Sequence, residues 1–67
     1  TKVTARVKAK FALDKDLNGF GIGVTTTDGR VTLTGNVPSA KQISHAMMLA
    51  LETEGVREVS STLKVKR

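Results

Sequence analysis

The dipeptide Asp28-Gly29 constrains this chain more than any other feature. It sits between two runs in which apolar residues and threonines alternate, Ile22 to Thr27 and Arg30 to Gly35. Asp-Gly is a preferred pair for a type I′ turn, in which both central residues take positive φ. With those two residues in the turn, the register follows. Thr27 faces Arg30, Thr26 faces Val31, Val24 faces Leu33 and Ile22 faces Gly35. Residues directly opposite share a face. One face then collects Ile22, Val24, Val31 and Leu33, and the other Thr25, Thr27, Arg30, Thr32 and Thr34. A slip of one residue would mix the two sets.

The remaining elements follow from periodicity. Val3, Val7 and Phe11 recur every four residues, which predicts a helix over roughly residues 2 to 13. Asp14 to Gly23 carries Asn18, Gly19, Gly21 and Gly23 and reads as a connection. Pro38-Ser39 opens a second helix, with Ser39 as N-cap and Gln42 completing a capping box. Ile43, Ala46, Met47, Ala50 and Leu51 form its apolar stripe, with Met48 and Leu49 on the flanks. Gly55 suits a left-handed stop just past the helix end. Val59, Ser61, Leu63 and Val65 then alternate with Ser60, Thr62, Lys64 and Lys66 as a last strand. The expected fold is α+β in the order αββαβ. Two helices pack on one face of a three-stranded mixed sheet, with the last strand parallel to the second.

Sixty-seven residues make one domain. A domain of this size buries only about 60% of its unfolded surface, so a core leaves no room for a deep substrate pocket. The absence of cysteine removes disulfides, thiolate metal sites and thiol chemistry. No signal peptide, membrane-spanning run or lipidation motif occurs. The chain opens on Thr1, so residues 1–67 read as a mature form or as one domain from a longer or tandem-domain protein. The formal net charge of +5 favours polyanionic partners.

In this order the residues resemble a BON domain (bacterial OsmY and nodulation). That family has a short helix with apolar spacing of four, an extended segment, a D-G-x-V-x-L-x-G hairpin, a helix ending in G-V and a last apolar strand. Here these read Val3, Val7 and Phe11; Ile22 and Val24; Asp28-Gly29-Arg30-Val31-Thr32-Leu33-Thr34-Gly35; Gly55-Val56; and Val59, Leu63 and Val65. The likeness spans Val3 to Val65. One departure is Phe11, where the family more often has Leu. Most matching positions are structural, so the resemblance identifies a fold better than a binding site. It implies a periplasmic or envelope-associated bacterial protein, one linked to osmotic stress, that attaches to phospholipid membranes or envelope components.

The residues offer no enzyme. His45 is the single histidine, and its helix neighbours Met48 and Leu49 supply no metal partner. It reads as a surface histidine. No second histidine or cysteine exists for a catalytic triad, and Ser39 reads as a cap. Asp14, Asp16 and Asn18 have the spacing of a calcium loop but lack its glycine and its distant glutamate. They read as loop solvation and helix termination. Gly19, Gly21 and Gly23 precede a strand, which is the wrong context for a phosphate cradle. No catalytic residue, metal ligand or cofactor is expected.

The basic residues carry the functional expectation. Lys2, Arg6 and Lys10 form one ridge along the first helix, with Leu13 near its end, and suit an anionic phospholipid surface. Arg30, Lys64 and Lys66 give a second basic face on the sheet, with Arg67 at the chain end. That face offers threonines and no aromatic stacking platforms, so nucleic acid is a poor fit. A protein-interaction or architectural role is the competing expectation. It would use the Thr-rich face or the second helix to dock another envelope protein or domain.

Overall fold

The computed structural model describes residues 2–66. Helix α1 (Lys2–Leu13) is rich in Ala, Lys and Arg, has no Gly or Pro, and turns Val7 and Phe11 inward. Val3 packs half-buried against the same core. Helical bonding gives way at Asp14 to a chain of tight turns. Leu17 and Asn18 donate N–H to Asp14 O at 3.2 and 2.9 Å, and Phe20 to Leu17 O at 3.4 Å. These turns drive Leu17 inward to 2% exposure. The connection therefore contributes to the core, which its polar composition does not signal.

The hairpin forms in the expected register. Strand β1 (Gly23–Thr27) pairs antiparallel with β2 (Arg30–Thr34), from Thr27↔Arg30 to Val24↔Leu33 and Gly23↔Thr34. Asp28 has φ 50° and Gly29 φ 81°, the two left-handed residues of a type I′ turn. Ile22, Val24, Val31 and Leu33 are buried, while Thr25, Thr27, Arg30 and Thr34 are exposed and Thr32 half-exposed.

Beyond Thr34 the structure refines the three-strand expectation. Gly35, at φ 131°, interrupts the strand. The chain resumes as β3 (Asn36–Val37), and Val37 enters the core at 2% exposure. The last strand is likewise split into β4 (Glu58–Ser61) and β5 (Lys64–Val65). β4 runs parallel to β2, giving the mixed sheet order β1-β2-β4, and β5 runs parallel to β3. One sequence offset holds from Arg30↔Glu58 to Val37↔Val65, so the ladder breaks without slipping. Thr62 N–H and Lys64 N–H bridge the break by donating to Leu33 O and Gly35 O at 2.8 and 3.0 Å. Leu63 is buried as expected, whereas Val65, expected inside, is 44% exposed.

Helix α2 (Ala40–Leu51) starts after Ser39, whose backbone is extended (φ −154°, ψ 162°). Ser39 is the N-cap, but its hydroxyl donates to the Gln42 side-chain carbonyl and caps no backbone N–H. The buried stripe also rotates relative to the expectation. Ala46 and Ala50 are fully buried, Ile43, Met47 and Leu49 pack half-buried, and Leu51 is 57% exposed. At about 100° per residue, Leu49 lies nearer the Ala46–Ala50 line than Leu51 does. The helix ends at Leu51, earlier than a stop at Gly55 requires. Thr53 finishes it instead, donating from Oγ1 to Leu49 O at 2.9 Å and from N–H to Ala50 O at 3.1 Å. Gly55, at φ 95°, lies in the following turn, where the chain passes α1.

Candidate functional site

Helix α1 places Lys2, Arg6 and Lys10 along one line, as their spacing of four requires. Lys2 and Arg6 are exposed and Lys10 is half-buried. Arg6 Nη1 donates to Glu54 O at 3.4 Å, so its guanidinium leans toward the turn after α2. Leu13 closes the line at 86% exposure, the most exposed of the large apolar side chains described. By helical angle it falls between Lys2 and Arg6. The product is a strip of three cations ending in a bare leucine.

A second feature lies on the opposite flank of α1. There an open groove of about 750 Å³ runs between the helix and the turns before β1, lined by Lys8, Phe11, Ala12, Leu17 and Ile22 among others. None of the three ridge cations lines it. Periodicity does not announce this groove, because part of its wall comes from Leu17, which the turns after α1 direct inward.

The structure separates the residues of the second basic face. Arg30 stands at the hairpin end, where its Nε donates to Glu58 Oε2 at 2.9 Å. Lys64 and Lys66 are exposed at the far end, beside β3. Six residues of strand, roughly 20 Å, lie between the two ends. Arg67 lies outside the described residues.

The structure also joins two residues that lie 31 positions apart in the chain. His45 Nε2, on α2, is 2.7 Å from Asp14 Oδ2, in the turn after α1. Asp14 Oδ1 accepts the Asp16 N–H at 2.9 Å, which orients the carboxyl. The His45 hydrogen bond, with the backbone donors beside it, holds the Asp14 carboxyl below its usual range. Neighbours at three and four residues along α2 give no hint of this pair. The signal lay in the Asp14-x-Asp16 spacing, which says nothing by itself about which helix it meets.

The described helices are too short and too polar to cross a membrane. The family model of the BON domain matches residues 1–67. This chain belongs to the BON family. Among curated proteins the BON domain is similar to osmotically-inducible protein Y of Escherichia coli (strain K12), with 38% identity over 66 residues. The match takes in 98% of this chain and 33% of that relative, so the chain spans about a third of the relative's length. The αββαβ order, the Asp28-Gly29 hairpin and the apolar sheet face thus belong to a recognised domain type.

Proposed function

We propose that this BON domain is a non-enzymatic module that docks on anionic phospholipid surfaces of the bacterial envelope. In this reading it serves a periplasmic or envelope-associated protein of the osmotic-stress response. The observation that carries it is the strip Lys2, Arg6 and Lys10 with exposed Leu13 at its end. Each cation near an anionic leaflet contributes about 1 kcal/mol. Burying a leucine side chain contributes about 1.5–3 kcal/mol. Together these favour reversible surface docking, weakened by salt, and not insertion. The name of the similar relative supports the osmotic setting, and the net charge of +5 supports the polyanionic partner.

Co-sedimentation with phosphatidylglycerol vesicles, against phosphatidylcholine vesicles, tests this reading. Binding to the first at low salt, lost on changing Lys2, Arg6 and Lys10 to Glu, is the expected result. Equal retention by both vesicles, or none by either, overturns it.

A second reading rests on a different observation. Met48 and Leu51, three residues apart on α2, are 60% and 57% exposed. Adjacent apolar side chains of this kind suit an envelope protein or a neighbouring domain. On that reading lipid leaves their NMR signals unmoved, and a partner protein shifts Met48, Thr25 and Thr32.

A further inference from the structure

We propose that Asp14, Asp16 and His45 form a binding site for a divalent transition-metal ion of the zinc type. This goes beyond the lipid reading and does not depend on it.

The donor atoms converge from two parts of the fold. Asp14 and Asp16 lie in the turns after α1, and His45 comes from the middle of α2, 31 residues further on from Asp14. One imidazole nitrogen and one oxygen from each carboxylate all lie within 4.8 Å of one another. Zinc bonds nitrogen and carboxylate oxygen at about 2.0–2.2 Å, so tetrahedral ligands stand roughly 3.4 Å apart. His45 Nε2 and Asp14 Oδ2, now at 2.7 Å, need only part slightly. Asp16 is exposed, and one of its carboxylate oxygens already stands within 4.8 Å of both other donors. The Asp16 N–H fixes Asp14 Oδ1 at 2.9 Å and leaves Oδ2 turned to the imidazole.

The donor set selects the ion. One nitrogen with two carboxylates suits zinc and its first-row neighbours. Calcium takes oxygen ligands in greater number. A shallow recess of about 120 Å³, lined by Asp16, Lys41, Gln42 and His45, gives the ion and its waters a place to sit. Lys41 on that wall opposes a cation, so binding is weak. An ion here would clasp α2 to the turns that hold Leu17 in the core.

The test is titration of the untagged, metal-free, isotope-labelled 67-residue chain with zinc chloride, followed by amide NMR. Saturable shifts are expected around Asp14 to Asn18 and Lys41 to His45. Asp16→Asn removes one ligand from an exposed side chain, so the fold survives, and affinity should fall by about tenfold or more. Lys41→Gln should tighten binding. Shifts that centre on Glu52, Glu54 and Glu58 instead, or that do not saturate, overturn the proposal. So does an Asp16→Asn or Lys41→Gln variant with unchanged affinity.

Discussion

Asp14 Oδ2 and His45 Nε2, 2.7 Å apart, tie the turn after α1 to the middle of α2. The contact lowers the Asp14 pKa, and this sets its pH dependence. A carboxyl whose folded pKa is depressed adds stability above its unfolded pKa. That stability is lost as pH falls through the folded value. In metal-free buffer, Asp14→Asn should therefore melt below the native chain near neutral pH. The two melting curves should converge as acid protonates Asp14, below its ordinary value of 3.8. A constant gap down to pH 2 would show that the carboxylate charge is not what stabilises the contact.

Gly55 and Val3 touch across the fold. A Cβ on Gly55 would stand 2.8 Å from Val3 Cγ2, on a backbone at φ 95°. Gly55→Ala therefore meets both a steric and a conformational penalty, about 1–3 kcal/mol in urea denaturation. Gly19→Ala has nothing within 4 Å and should change stability by less than about 0.5 kcal/mol. Equal effects at the two glycines would deny the close approach of α1.

Leu17 tests whether the connection belongs to the core. Leu17→Ala should cost about 2–5 kcal/mol, as truncation of a buried leucine does. A domain of this size has only a few kcal/mol to lose. Circular dichroism should therefore show a large fall in melting temperature or an unfolded chain. A change under about 0.5 kcal/mol would place Leu17 outside the core.

On α1 the arrangement of charge can be separated from its amount. Lys8 lies two residues from Arg6 and about 160° away around the helix. Arg6→Glu should weaken retention by phosphatidylglycerol vesicles more than Lys8→Glu, though both remove the same charge. Leu13→Gln should weaken it further without lowering the melting temperature, because the side chain is already 86% exposed. Equal losses from Arg6→Glu and Lys8→Glu would reduce the ridge to net charge.

Local chemistry made the hairpin legible. Asp28-Gly29 dictates the turn, and alternation fixes which face is buried. The bounds of α1 were equally readable from Val3, Val7 and Phe11. Tertiary packing decided the rest. Gly35 breaks the strand through a backbone at φ 131°, which the alternating pattern around it does not announce. Leu49 takes the place expected of Leu51 because the Ala46–Ala50 line meets the sheet. Gly55 yields the end of α2 to Thr53 and serves the contact with Val3. At the candidate sites, the ridge on α1 follows from spacing of four. The Asp14–His45 pair joins segments far apart in the chain, and no local pattern announces such a meeting.

The central position of β2 bears on how the chain acquires its fold. One side of β2 is satisfied by β1 across a two-residue turn, on the microsecond scale of hairpin formation. The other side waits for β4, which follows only after α2. Pairings between distant segments form late. Until then a strand carrying Val31 and Leu33 offers unsatisfied amides along one edge, the template on which chains associate wrongly. Synthesis that stalls before Glu58 should thus yield an aggregation-prone intermediate, and β4 acts as the cover that prevents it.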